Sequence, residues 1–307
     1  MRTHLAPTLF QYDIQKGYVI QMHGILLGIV QDGLIYGIMA LGVYISLKIL
    51  DFPDLSVDGT FPLGMAVTAV GLVNGFNPFL CLLVSFFAGA AAGAVTGLLN
   101  VKLKIKDLLS GIITMTALYS INYTIVGKPN EFLPIDSDTV FSVLQRSNAY
   151  RYILIAAAIA IICKMLLDLF LSTKAGFLLI GVGDNENIAV TLAKNPGTVK
   201  IIGLAMGNGL VALSGALNMQ YTKTFSVSAG TGMLVMGLAA VIIGTTLFGK
   251  IKFMKPTTGV LIGMIIYKAC ISGAMLMGLA SKDTNLIVSA LFVVTLVISG
   301  KAVKKNA

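Results

Sequence analysis

Apolar residues gather in long runs with few charges, and each run near or above ~18 residues reads as a membrane-spanning helix. The runs fall at 24–48, 55–75, 79–101, 107–127, 150–171, 198–220, 230–249, 257–278 and 284–299. The second is irregular. LDFPDLSVDGTFPLG places two Pro, extra Asp and Gly59 where a helix should be entering the bilayer, so a continuous helix is not expected there. Residues 61–75 as helix cover roughly 22 Å, short of the ~30 Å hydrocarbon thickness. Residues 52–60 must supply the rest as irregular backbone, which survives at that depth only beside protein or a water-filled cavity. The alternative is a plain cytoplasmic loop.

A second pattern points the same way. QDGLIYGIMAL in the first span matches GNGLVALSGAL in the sixth, with Asp32/Asn208, Gly33/Gly209 and Ala40-Leu41/Ala216-Leu217 at equal offsets. SVDGT at 56–60 precedes the apolar run of span two, and SVSAGT at 226–231 precedes that of span seven. Halves an odd number of crossings apart have opposite orientation, so the match predicts an inverted-topology repeat with the transport path at its interface. Glycines recur at four-residue spacing in span three (Gly89, Gly93, Gly97) and at Gly33/Gly37, Gly203/Gly207 and Gly259/Gly263. Such faces allow close helix packing in lipid, and say nothing of a solute.

Composition agrees with this reading: 56% of the 307 residues are hydrophobic, only 11% are charged, and Trp is absent. A soluble domain carries about 25% charged residues. The expected fold is an all-α integral membrane bundle of about 8–10 transmembrane helices, with a broken second helix and an inverted repeat. Residues 23–300 form its transmembrane domain and 301–307 a tail. The net charge of +9 raises nucleic acid as a partner, but the distribution argues for topology instead. Fourteen of the 22 basic residues, from Lys48 to Lys305, fall on the side that holds the C-terminus. Seven fall on the other side, and Lys268 lies inside a span. The positive-inside rule then puts the C-terminus in the cytoplasm and the N-terminus outside. Residues 1–22 show no signal-peptide pattern, and read as either an extended start or a short interfacial segment. Cys81, Cys163 and Cys270 lie in separate apolar runs and read as buried, inert thiols.

Reactive chemistry is hard to find. Gly244 to Lys250 matches GxxxxGK of a phosphate-binding loop, yet Ile251 stands where Ser or Thr should bind magnesium and the context is a membrane helix. His4 and His23 form no metal-binding or hydrolytic pattern, so no catalytic residue, metal or cofactor is expected in this chain. Intramembrane polar groups are few. Asp32, Asp58, Gly59, Asn208, Ser228 and Lys268 are the expected translocation-path residues, since an unpaired charge at the bilayer centre costs ~3 kcal/mol. An Asp32–Lys268 pair fits either a path or a structural ion pair, and Asn122 and Asn218 are equally open. Between spans five and six, residues 172–197 are long and moderately polar, and predict a short cytoplasmic helix. Asp184 or Asn185 would cap it and Glu186 suits its first turn, with Asn187 between the acidic start and an apolar face of Ile188, Leu192 and Ala193. About two turns are not stable alone, so a partner groove or the bundle must hold them.

Three blocks together resemble the permease subunit of an ABC importer, in the group that carries branched-chain amino acids, sugars and nucleosides. They are GILLGIVQDGLIYGIMALGVYISLKILDFPDLSVDGTFPLG, GVGDNENIAVTLAKNPGTVKIIGLAMGNGLVALSGAL and FGKIKFMKPTTGVLIG. The likeness extends over nearly the whole chain. It implies a bacterial inner-membrane protein paired with a second permease chain, identical or different. It also implies cytoplasmic ATPase subunits that hold ATP and magnesium and grip the 183–195 helix, and an extracytoplasmic binding protein that delivers the solute. The family's Arg- and Ala-rich coupling block is altered here to Gly181-Val182-Gly183 and Thr191-Leu192-Ala193-Lys194. DFPDLSVDGTFPLG looks most like the branch associated with aromatic or other amino acids. Inverted repeats and intramembrane Asp and Lys also suit a stand-alone ion-coupled transporter, which stands as the rival reading.

Overall fold

The first apolar run folds as the front half of an interrupted unit: a long helix, a break, and a helix too short to span. The computed structural model describes residues 6–134, 136–142, 150–184, 195–249, 251, 253–276, 289, 290, 293 and 297, with side chains described from residue 23 onward. Helix α1 runs Ala6–Val43 and passes into a π-helical turn, Tyr44–Ile49. Leu50 and Phe52 donate their N–H groups to Ile45 and Ser46, which closes the wide turn. Asp51 then adopts the left-handed conformation (φ 50°), which Asp tolerates better than most residues, and the chain leaves the helix. Helix α2 starts at Val57 and ends at Val73. Its 17 residues reach roughly 25 Å, short of the bilayer core as the sequence predicts. Residues 57–60, expected as irregular backbone, are already helical, because Pro62 falls early in the helix and withdraws only the N–H that would reach the Asp58 carbonyl.

Helices α3 (Pro78–Val101) and α4 (Asp107–Val126) follow, then strand β1 (Asn130–Phe132), α5 (Tyr150–Leu171) and α6 (Lys174–Asp184). A second interrupted unit comprises α7 (Pro196–Thr222), strand β2 (Thr224–Ser226) and the short helix α8 (Met233–Phe248). Helix α9 (Pro256–Leu276) comes after it. Strands β1 and β2 pair antiparallel, with Glu131 opposite Phe225, and tie the chain beyond α4 to the second break. Six of the described helices are long and apolar enough to cross a membrane, and α2 and α8 are the shorter apolar ones. Large apolar side chains face outward on α3 and α5, among them Leu83, Phe87, Leu154 and Leu169. Such a surface suits lipid, not water.

The inverted repeat is visible as geometry. Ser214 donates its hydroxyl to the Ile35 carbonyl (2.8 Å) while Gly42 lies against Gly207, so α1 and α7 run antiparallel. Each half then packs its third helix on the other half's long helix. Gly89, Gly93 and Gly97 of α3 lie against α7 at Asn208, Leu204 and Ile201, and Gly33 and Gly37 of α1 lie against Ile265 and Leu261 of α9. Register is set by helix starts: Val57 and Met233 are separated by the same 176 positions as Asp32 and Asn208. The SVDGT and SVSAGT motifs are therefore not equivalent in place. The first opens α2, whereas the second lies wholly before α8.

Several expectations change. Helix α1 begins well before residue 24, because an apolar-run criterion detects hydrocarbon length and not helix, and its 38 residues exceed any bilayer. Asp184 is the last residue of α6, so the helix expected to start there has another, Lys174–Asp184, directly before it. Three glycines disguised that helix, whose buried Gly176, Leu179 and Val182 share one face. Asn185, Glu186, Asn187, Ile188, Leu192 and Ala193 lie outside the described residues, as does most of the expected ninth span. Cys270 is exposed, while Cys81 and Cys163 are buried. Gly244 and Gly249 belong to the end of α8, where Gly244 packs on the Gly259 backbone of α9, a packing role and not a phosphate cradle.

Candidate translocation site

The two short helices meet N-terminus to N-terminus. Asp58, in the first turn of α2, accepts hydrogen bonds from the backbone N–H of Gly232 (3.1 Å) and Leu234 (2.8 Å) at the start of α8. A carboxylate there satisfies two of the donors that a helix start leaves free, and meets the positive end of the α8 dipole. Leu234 stands 176 positions after Asp58, the repeat offset, so a residue touches its own counterpart and the pseudo-two-fold axis passes through this contact. Pro62 has no N–H to give the Asp58 carbonyl, and Gly230 lies directly against that carbonyl.

Beside the junction lies a cavity of about 420 Å³, lined by Asp58, Gly59, Val227, Ser228 and Thr231 of the two breaks and by Met115, Thr116, Tyr119, Ser120 and Asn122 of α4. Thr116, Tyr119 and Ser120 lie on an exposed face of α4, so a row of hydroxyl groups borders the cavity where a lipid-facing helix would carry aliphatics. Asn122 is fully buried, and its amide donates to the Gly59 carbonyl (3.0 Å), fixing α4 against the start of α2. Three expected path residues, Asp58, Gly59 and Ser228, are thus brought to one cavity.

The remaining ones sit elsewhere. Lys268 of α9 lies 3.8 Å from Asp32 of α1 and 3.7 Å from the centre of the Tyr36 ring, which stacks on Phe61 of α2 (5.7 Å). The ammonium is mostly enclosed, with 14% exposure, while the Asp32 side chain is 40% exposed, so the pair opens on its acidic side. Asn208 is buried and donates to Asp54 Oδ2 (2.7 Å), in the break before α2. Asp54 escapes a reading that treats the Asp residues of this segment only as helix breakers. The signal was present as an Asx turn: Asp54 Oδ1 accepts from the N–H of Ser56, two residues on and directly before α2. On the face where α5 ends and α9 begins, Asp168 accepts from Thr257 (2.6 Å) and pairs with Lys164 and Lys255. Among the described residues, no three His, Cys, Asp or Glu side chains are placed to hold a metal.

Residues 25–298 match the family described as the permease component of branched-chain amino acid transport systems. The chain belongs to that permease family. Its length and helical architecture agree with a multi-pass transport protein that works as a permease. This permease is similar to a tyrosine transport system permease protein of Clostridioides difficile, with 45% identity over 89% of this chain and 90% of that one. It also resembles an uncharacterized protein, RP368, of Rickettsia prowazekii (29% identity, 89% and 96% of the two chains). The ribose import permease protein RbsC of Escherichia coli is more distant, at 24% identity over 90% and 85%. No solved structure matches the permease.

Proposed function

We propose that this permease is the membrane subunit of an ATP-driven importer that carries an amino acid, with an aromatic amino acid as the favoured solute. Identity of 45% along nine-tenths of both chains with a tyrosine transport permease carries the reading. In it, two copies enclose a central path, separate ATPase subunits bind ATP and magnesium beneath them, and an extracytoplasmic binding protein delivers the solute. The protein lies in a bacterial inner membrane with its C-terminus inside and its N-terminus outside, as its basic residues distribute. Nucleotide binding moves the segment between α6 and α7, and the rigid helices rock between two states that differ in affinity for nucleotide.

The solute passes the junction of α2 and α8. Hydroxyl groups of Thr116, Tyr119, Ser120, Ser228 and Thr231 give it hydrogen-bonding partners without a fixed charge. Asp58 is occupied by α8, so it shapes the path and does not bind the solute as a free anion. Such a wall holds a zwitterion weakly, which suits passage more than storage.

The test is to express the permease with the ATPase and binding protein from its own locus, purify the assembly, and identify the ligand retained by the binding protein. An aromatic amino acid is expected. A retained sugar would move the permease to the ribose type, and failure of the ATPase to co-purify would remove the importer reading. Leu192→Asp should leave membrane insertion intact and cut uptake without abolishing ATP hydrolysis; unchanged uptake would end the assignment of a coupling role to 184–193.

A further inference from the structure

Asp54 is a completely buried carboxylate whose hydrogen-bond partners among the described residues are all neutral. Its residue exposure is 0%, and none of the ion pairs found among the described residues uses it. Ser56 N–H donates to Oδ1 (2.9 Å) and Asn208 Nδ2 donates to Oδ2 (2.7 Å). The Ser56 hydroxyl closes the ring by donating to Asn208 Oδ1 (3.1 Å). A buried polar ring of this kind is rigid while complete, and costly when one member is lost.

Its position in the chain of contacts is specific. Elements on both sides of the 185–194 segment grip the break that holds Asp54. On the α6 side, Gly183 lies against the Ile49 carbonyl, and Leu179 and Leu50 together cover Gly203 of α7. On the α7 side, Asn208 holds Asp54 and Ser56. Two residues beyond Ser56, Asp58 holds the first N–H groups of α8. A continuous packed route therefore runs from both flanks of the cytoplasmic segment, through residues 49–56, to the junction that borders the cavity.

The two halves differ at this point. Positions 176 apart are equivalent, so Asn208 corresponds to Asp32 and Asp54 to Gly230. Asp32 pairs with Lys268, and Gly230 has no side chain to offer. Building the fold twice did not require the ring; it exists only at the first break, which lies beside both flanks of the cytoplasmic segment.

We infer that the Asp54–Ser56–Asn208 ring is the joint that passes motion of the α6–α7 segment to the α2–α8 junction, with Asp54 and Asn208 as positioning residues. This rests on the importer reading. The joint works by hydrogen-bond geometry and not by the charge of Asp54. Asp54→Asn can keep the three bonds of the ring if the Asn208 amide turns over, giving up only the bond from that amide to the Leu204 carbonyl (3.2 Å): the new amide donates to Asn208 Oδ1, Asn208 donates to Ser56 Oγ, and Ser56 N–H donates as before. Asn208→Leu cannot.

The experiment uses the full transporter, permease with ATPase subunits and binding protein, in liposomes, and reads solute imported per ATP hydrolysed. Asn208→Leu should lower that ratio at least about fivefold, a coupling loss of ordinary size, while the assembly still co-purifies. Asp54→Asn should stay within about twofold of wild type. Ser56→Ala, which leaves the Asp54–Asn208 bond in place, should fall between them and decides the matter if Asn208→Leu fails to assemble. An unchanged ratio in Asn208→Leu or Ser56→Ala, with uptake and hydrolysis falling in parallel, overturns the joint. So does a loss in Asp54→Asn as deep as in Asn208→Leu, which would assign the effect to charge. Wild-type uptake that ignores ATP would instead sink the importer reading itself, and the joint with it.

Discussion

Asp58 shows how one side chain can hold two elements that the sequence keeps far apart. Its carboxylate caps α8 from the first turn of α2, and hydrogen bonds to a charged group of this kind contribute about 1–3 kcal/mol. Asp58→Ala should lower the unfolding midpoint of the detergent-solubilised permease by a loss of roughly 2 kcal/mol, and Asp58→Asn, which keeps one acceptor oxygen, by about half of that. Equal midpoints in all three proteins would remove the cap. At the ion pair, Asp32→Asn or Lys268→Met alone leaves one charge enclosed and should cost ~3 kcal/mol, whereas the double change should recover part of that loss. Simple additivity would show that the two groups do not interact. The sequence marked Asp32, Asp58 and Lys268 as costly and so worth attention. It could not tell that Asp58 answers to backbone N–H groups near a glycine, because a backbone donor leaves no residue type to read.

Among the elements, glycine spacing in α3 was legible as a contact face, but not the identity of the helix facing it. That helix is α7, remote in sequence, because the two halves interlock. The difference between glycines that matter and those that do not is measurable. A Cβ at Gly93 would collide with the Leu204 carbonyl, and one at Gly64 with Ala212, whereas Gly28 has no heavy atom within 4 Å. Gly93→Ala or Gly64→Ala should therefore destabilise the permease by about 1–3 kcal/mol, through forced helix separation. Gly28→Ala should be neutral or stabilise by up to ~1 kcal/mol through helix propensity. Equal unfolding midpoints for Gly93→Ala and Gly28→Ala would contradict the packing. The π-helical turn Tyr44–Ile49 was not legible, because no residue in YISLKI forbids an ordinary helix. It follows from tertiary demands on residues 49–56, which α6 and α7 hold from outside the helix. The α6 helix was not legible for the opposite reason, that glycines weaken a pattern which packing then enforces.

For the molecule as a whole, periodic apolarity and one short internal match were enough to give a polytopic bundle with two inverted halves. The register between the halves needed the structure, since a five-residue motif match in a small apolar alphabet misplaced the second break relative to its helix. With register fixed, the halves share an axis at Asp58 and differ at Asp54, and in the proposed importer the difference lies beside the segment on which an ATPase would push. A gate that is moved from below, with no ion-driven step of its own, is the central claim. The direct measurement is solute uptake into liposomes holding the complete assembly, first with enclosed ATP and no ion gradient, then with a sodium or proton gradient and no ATP. The account predicts uptake only in the first case, in proportion to ATP hydrolysed. Uptake that follows the gradient and ignores ATP would contradict it.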